Sequence, residues 1–526
     1  MDLASLQCGC PPEAIEAVRI HDKPEDKSRY QAWGRHPVRR REFCQQIGIA
    51  IGLYAFSRRS YAIEITGQEL DLPRKAHDAL VQAVRFFDEK VSVEGGYLWA
   101  YSEDLRFREG EAPALPSTAW VQPPGTPSVG MAFLVAYRLT KEPTCLQAAT
   151  RTAHALVKGQ LVSGGWDYRI EFSPELRRNC RYRQPPNGGE KARNVSTLDD
   201  DTTQSALRFL MEFDRTTGMA DKQVHEAVLY GLNSLLAVQR PNGGWPQRFR
   251  ELPRLEDYPD VPASYPEDWP RQWPGKPYYD CYTLNDNVHN EALKTMLLAW
   301  RIYGDEKYRA AAQRAVEFLL KVQMPDPQPA WAQQYDAQMR PCWARKFEPP
   351  AISGGESQGV LQTLILAFHE LAEPRFLDPI PRALAYLERS TLPDGKLARF
   401  YELKTNRPLY FTRDYQLTYS DADVPTHYAF KIDNHIGTIR QMYEHARRTG
   451  PQPSLGLKSP APVLSSALVQ TVERILKEMD DQGRWVEKGN LKTSGKDVAG
   501  DRIITTRTFI RNISVLAQYL AATEKE

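Results

Sequence analysis

One short loop recurs along the chain and constrains the fold more than any other feature. Glu94-Gly95-Gly96-Tyr97, Ser163-Gly164-Gly165-Trp166 and Asn242-Gly243-Gly244-Trp245 each follow an apolar run with helical spacing. Weaker copies stand at Pro329-Ala330-Trp331, Asp394-Gly395-Lys396 and Gln482-Gly483-Arg484-Trp485. The intervals, roughly 65 to 90 residues, suit two helices of ordinary length plus loops. Val224, Val228, Leu229, Leu232, Leu235 and Leu236 keep the period of one helix face, and strand-like alternation is scarce. A hairpin that cannot bury its apolar face alone must stack on its neighbours. The expected fold is therefore all-α: an α/α toroid of helical hairpins with long rim loops, one domain over residues 63–526. Its glycine loops would let aromatics project into a central cavity. The stretch 250–277, rich in Pro, Trp and acidic residues, reads as an excursion over one mouth.

A second mark is a polar loop that opens the following helix. It reads Ser196-Thr197-Leu198-Asp199-Asp200-Asp201-Thr202-Thr203, then Tyr282-Thr283-Leu284-Asn285-Asp286-Asn287. Ser353-Gly354-Gly355-Glu356-Ser357 and Lys431-Ile432-Asp433-Asn434-His435 come later. The plain reading of Asp199, Asp286, Glu356 and Asp433 is helix N-capping. The alternative is that equivalent loops of a toroid converge on one end, where carboxylates from adjacent repeats hold a hard cation such as calcium. Asp200 and Asp201 share that work or are solvated caps. Arginines form the complementary set: Arg345 before the Ser353 loop, and Arg399 and Arg413 around 400–408. Arginine suits two-pronged recognition of carboxylates.

A formal net charge of +2 on 526 residues argues against nucleic acid as the main partner, so an acidic ligand must meet a local positive cluster. Residues 1–62 read as an export leader. Arg39-Arg40-Arg41-Glu42-Phe43 resembles a twin-arginine signal, and the apolar run from Ile47 to Phe56 is too short to span a bilayer. That reading implies a periplasmic or secreted protein without stable membrane insertion after export. Four cysteines lie beyond the leader: Cys145, Cys180, Cys281 and Cys342. They show no metal spacing; one or two disulfides or buried thiols are equally compatible, and sequence assigns no pairs.

Taken together, these segments resemble the pectate lyases of polysaccharide lyase family 10 over about residues 90–445. The family's Asn-Gly-Gly-Trp-Pro loop is similar to 242–246, and its Thr-Phe-Asn-Asp-Asn pattern to 283–287. Its Thr-Ile-Asp-Asn pattern is similar to 197–200, with Asp200 in place of the usual Asn. Its Ala-Arg-x-Tyr-Glu run resembles 344–348, with Phe347 at the Tyr place, and its Arg-Phe-Tyr-Glu stretch resembles 399–402. The resemblance implies a calcium-assisted enzyme that cleaves polygalacturonate by β-elimination, endo or exo, acting as a monomer. It puts Arg345 at the catalytic arginine base, and Asp199 and Asp286 at acidic positions where calcium and substrate meet. Arg399 and Arg413, with Asn285, Asn287, Trp245 and Glu356, fall among substrate contacts.

The chemistry is consistent with that set. Removing the C5 proton next to a carboxylate and expelling the C4 oxygen passes through an enediolate-like state, which cations stabilise. A glycoside hydrolase would instead use two carboxylates flanking the bond. Three rival readings stay open: a non-catalytic uronan-binding protein, a lyase for another uronate polymer, and a terpenoid-cyclase-like toroid. The last is suggested by Gln160…Trp166, Gln239…Trp245 and Leu198-Asp199-Asp200-Asp201-Thr202.

Overall fold

The computed structural model describes residues 71–250, 258–456, 462–492 and 500–524; the leader segment 1–62 lies outside the described residues. All described residues except 426–428 form one compact unit. Its long helices alternate between outer and inner positions. The outer set is α1 (Asp71–Phe86), α3 (Pro143–Gly159), α5 (Lys222–Val238), α7 (Glu306–Lys321), α9 (Ile380–Arg389) and α11 (Ser466–Glu478). The inner set is α2 (Thr126–Thr140), α4 (Thr202–Thr216), α6 (Val288–Tyr303), α8 (Gly354–Leu371), α10 (Ile436–Thr449) and α12 (Thr506–Thr523). Neighbouring inner helices from α2 to α10 pack side by side, and α12 returns to lie against both α1 and α2. This is the α/α toroid that the repeat implied.

Short strand pairs stitch the rim. Ser196–Thr197 pairs with Arg248–Phe249, and Tyr282–Thr283 with Gln334–Tyr335. Ala351–Ser353 pairs with Phe400–Glu402. In each of these pairs the strand that leads into an inner helix bonds to the strand that follows the next outer helix, whereas Lys431–Ile432, before α10, pairs back with Leu397–Ala398. The same rule closes the ring: Arg502–Thr505 runs antiparallel to Ala100–Ser102. The C-terminal segment, which the family resemblance leaves uncovered, therefore supplies the closing hairpin.

The recurrent loop is explained by what it touches. Gly243 has φ +94°, and a Cβ there would stand 1.9 Å from the Arg314 carbonyl oxygen of α7. Gly95, at φ +87°, has the same relation to the Arg151 carbonyl of α3, at 2.3 Å. Only glycine permits both the conformation and the approach. Gln239 Nε2 then donates to its own loop at Gly243 O (3.0 Å) and to Ala311 O on α7 (2.9 Å). Gln160 does likewise to Gly164 O and Ala227 O, and Gln323 to Pro329 O and Pro379 O. The indole N–H groups of Trp166, Trp245, Trp331 and Trp485 donate to Leu156 O, Leu235 O, Leu319 O and Ile475 O at 2.8–2.9 Å. These satisfy carbonyls that end the outer helices.

Two expectations are corrected by this geometry. The loop tryptophans do not project into a cavity: Trp166, Trp245 and Trp331 are each 0% exposed. Trp245 consequently offers no face to a substrate. The Gln/Trp pattern fastens loop to helix in this ring, which accounts for it without terpenoid-cyclase chemistry.

The excursion, in its described part 258–277, holds no helix or strand and packs on the segment before Arg345. Trp269 meets Trp343 edge-on at 6.2 Å, and Trp273 Nε1 donates to Ala344 O at 2.7 Å. Among the described residues, no helix is long and apolar enough to cross a membrane.

Candidate active site

Two rim loops have nearly the same backbone. Asp199–Asp201 and Asn285–Asn287 are single 3-10 turns between a short strand and an inner helix. Leu198 and Leu284 precede them at φ −96° and −97°. Asp200 and Asp286 then take φ +52° and +48°, and Asp201 and Asn287 φ +61° and +59°. Two successive left-handed residues that are not glycine cost about 1–2 kcal/mol each, so the surroundings must impose this shape. The equivalence sets Asp199 against Asn285 and Asp200 against Asp286. The sequence alone couples Asp199 with Asp286 and leaves Asp200 either sharing that work or serving as a solvated cap.

The structure brings Asp199, Asp200 and Asp286 together, one carboxylate oxygen of each lying within 4.8 Å of the others. Asp199 is buried, Asp200 is half-buried, and Asp286 reaches solvent. The capping account fails for these loops: α4 and α6 begin without a side-chain cap hydrogen bond. By contrast, Asp221, Asp305, Ser353 and Thr505 do cap their helices. Asp201 engages Arg208 through both oxygens at 2.7 and 2.6 Å, and burial pushes its carboxyl up against the pull of that arginine.

Neighbouring side chains hold the acids in place. The Tyr168 hydroxyl donates to Asp199 Oδ2 at 2.6 Å, and Gln122 Nε2 donates to Asp200 Oδ2 at 2.7 Å. Burial first, and then the nearby Asp199 and Asp200 charges, keep the Tyr168 phenol far above its ordinary range, so it stays a donor. Arg248 lies over the Tyr279 ring at 4.6 Å and the Tyr168 ring at 5.7 Å. Burial opposes its charge, but Tyr168 and Asp199 beside it hold it protonated.

Arg345 grips the fully buried Glu348: Nε donates to Oε2 at 2.7 Å, and Nη2 bonds the other oxygen. Burial works against the Glu348 charge, yet the Arg345 cation and hydrogen bonds from Arg345 and Gln333 hold its carboxyl at about 2. Asn285 N donates to Gln333 O at 3.0 Å, and Gln333 Nε2 donates to Glu348 Oε1 at 2.9 Å, which ties the partner of Arg345 to the loop bearing Asp286. Phe347 stacks on Tyr415 at 5.5 Å and so joins the Arg345 segment to the hairpin carrying Arg413. Arg413 is exposed and pairs with Asp423 at 3.2 Å. Arg399 lies where Gly354 N, at the start of α8, bonds its carbonyl, and its Nε donates to Ala429 O.

The other expected contacts divide. Asn287 is exposed at the rim, whereas Asn285 is 3% exposed beneath the turn. Glu356 is also 3% exposed, bonded to Ser353 at the start of α8, so it is a capping residue. Asp433 sits at the surface, 3.9 Å from Lys396. Sequence reasoning missed Tyr168, Gln122, Arg248 and Glu348. A signal was present: Tyr168 and Gln333 each stand two residues after a loop tryptophan, and Gln333 Nε2 donates to Glu348 Oε1 at 2.9 Å.

The sequence model of a family described as pectic acid lyase matches residues 160–396, which hold both acidic loops and Arg345. That central part of the chain is similar to the pectic acid lyases. The match supports an enzyme of the polysaccharide lyase class. No curated protein matches it. Among solved structures, a family 10 polysaccharide lyase from Cellvibrio cellulosa is 20% identical, with 60% of this chain and 94% of that one covered and a TM-score of 0.42. A point mutant of a family 10 lyase from the same organism, in complex with trigalaturonic acid, covers 63% and 99% at 20% identity and TM-score 0.41. The cellobiose 2-epimerase from Spirochaeta thermophila is 14% identical over 88% of this chain and 100% of its own, with TM-score 0.43.

Proposed function

We propose that the chain is a calcium-assisted pectate lyase that cuts α-1,4-linked polygalacturonate by β-elimination, with Arg345 as base. The observation that carries this reading is the meeting of three carboxylates from two equally folded loops, the second of which is tied through Gln333 to the Arg345–Glu348 pair. The donor set fits calcium, since it is built of carboxylate oxygens and contains no thiolate or imidazole. Asp199, Asp200 and Asp286 would hold the ion, which when bound supplies positive charge against the uronate carboxylate.

The chain's own groups do the rest. Tyr168 and Gln122 fix Asp199 and Asp200, so those carboxylates are set before substrate arrives. Arg399 and Arg413 pair with uronate carboxylates along the chain. Arg345 in its neutral form takes the C5 proton, the C5–H electron pair becomes the 4,5 double bond as the C4–oxygen bond breaks, and the leaving oxygen takes a proton from solvent. Guanidinium holds its proton tightly, and the Glu348 carboxylate stabilises that charged form further. Substrate must therefore loosen the Arg345–Glu348 pair before Arg345 can act. The same pair supports one second reading, a uronan-binding protein without turnover. Following the leader pattern, the site of action is the periplasm or the exterior.

The test is to incubate the protein with polygalacturonate, with calcium and then with chelator, and follow the ultraviolet absorbance of unsaturated uronides. Arg345→Ala is expected to abolish the signal while polygalacturonate binding persists. Near-normal turnover in that variant would overturn the base assignment, and binding without absorbance in the unaltered protein selects the second reading. Product length then separates endo from exo cutting.

A further inference from the structure

Cys281 and Cys342 are 61 residues apart in the chain, yet their sulfurs lie 3.3 Å from each other. Among the described residues no other cysteine pair has its sulfurs in contact. Their setting is held by backbone. Cys281 N donates to Tyr278 O, and the next residues, Tyr282–Thr283, form the ladder with Gln334–Tyr335. The chain then turns at 336–340, where Asp336 N donates to Arg340 O, and comes back beside that ladder. There Tyr335 bridges Pro341, and Gln334 Nε2 donates to Cys342 O at 2.6 Å. Both cysteines are half-buried. A disulfide needs the sulfurs to close by only about 1 Å more, a side-chain adjustment.

We infer that Cys281 and Cys342 form a disulfide that ties the loop bearing Asp286 to the segment bearing Arg345. Cys281 stands five residues before Asp286, and Cys342 three before Arg345. The reaction is thiol–disulfide exchange with a disulfide oxidant such as oxidised glutathione. One protein thiolate attacks the oxidant, forming a mixed disulfide and releasing one glutathione. The second protein sulfur displaces the other glutathione and completes the bond. Two protein thiols are oxidised, one glutathione disulfide is reduced, and the two protons leave on the two glutathiones. Contact with Cys281, and then burial, push the Cys342 thiol well above its usual range. The crosslink itself rests on geometry alone; its bearing on turnover rests on the lyase reading.

The full chain, purified and incubated with oxidised glutathione or with reductant, tests this by intact mass, alkylation under denaturing conditions and peptide mapping. The oxidised sample is expected to lose the mass of two hydrogens, and to yield one crosslinked peptide pair holding Cys281 and Cys342. It should also melt several degrees higher than the reduced sample, and Cys281→Ser should remove both differences. Cys281 and Cys342 that stay fully alkylated after oxidation, or a crosslink through other cysteines, overturn the inference. Turnover of polygalacturonate is followed in the same samples. A crosslink with no turnover in either state sinks the lyase reading alone, and turnover without a crosslink sinks this inference alone.

Discussion

The loop at 196–203 and the loop at 282–289 have one backbone and two chemistries. Both bend through a pair of left-handed residues, and both enter an inner helix uncapped. The first carries Asp at all three turn positions; the second keeps Asp only in the middle, at Asp286, between Asn285 and Asn287. The third loop, at 351–357, enters α8 with ordinary dihedrals and a Ser353 cap. Strain is thus retained where carboxylates must be aimed, and dropped where a helix only needs to begin. The middle position is common to the first two loops, so Asp200 and Asp286 are counterparts, while the buried carboxylate of Asp199 has only an amide as its counterpart.

This asymmetry can be attacked directly. Asp199→Asn gives the first loop the second loop's residue at the buried position, and should lower turnover about 10²–10³-fold with the fold intact. The assays are uronide absorbance and thermal melting, and a change under tenfold would remove Asp199 from the site. Glu348→Gln acts outside both loops and leaves Arg345 without its buried counter-charge, at a cost of about 3–5 kcal/mol near neutral pH. Because the folded Glu348 carboxyl is held at about 2, its stabilisation is complete above the ordinary carboxyl range and is lost as pH falls toward 2. Denaturant melts of protein and variant should therefore converge as pH drops through that window; a pH-independent gap would break the pairing account.

Smaller effects refine the comparison. Tyr168→Phe removes the donor to Asp199. About 10- to 100-fold weaker calcium dependence is expected from titration of activity against calcium. Asp200→Asn restores the residue usual in the resembled family, and should keep turnover within about tenfold while shifting the calcium midpoint to higher concentration. An effect as large as that of Asp199→Asn would mean that the half-buried carboxylate carries the site.

The ring was legible in the sequence because its fastenings are sequence-local. Gly243, Gln239 and Trp245 lie within seven residues of one another, and the loop at 160–166 repeats their local bonds at the same offsets, Gln to the carbonyl four residues on and Trp to the one ten residues back. The candidate site was legible in part. Asp199, Asp286 and Arg345 stood out by type and motif, but the register between loops did not, because it resides in dihedral angles that Asp-Asp-Asp and Asn-Asp-Asn do not spell out. Trp245 misled for a related reason: the residue that marks the loop for a reader is the one the fold buries. Tyr168 and Glu348 needed contacts 31 residues apart or between neighbouring strands, and no periodicity announces those.

Ring closure also sets an order in time. Thr506 bonds to the carbonyl of Leu98, 408 residues earlier. At about 5 to 20 residues per second on the ribosome, the early hairpin waits roughly 20 to 80 s for its last neighbour. During that interval α1 and α2 carry an apolar face with nothing yet made to cover it. The nascent chain is most exposed to mispairing and proteolysis just before it is finished, and a clipped α12 would leave every earlier hairpin in place but the hoop open.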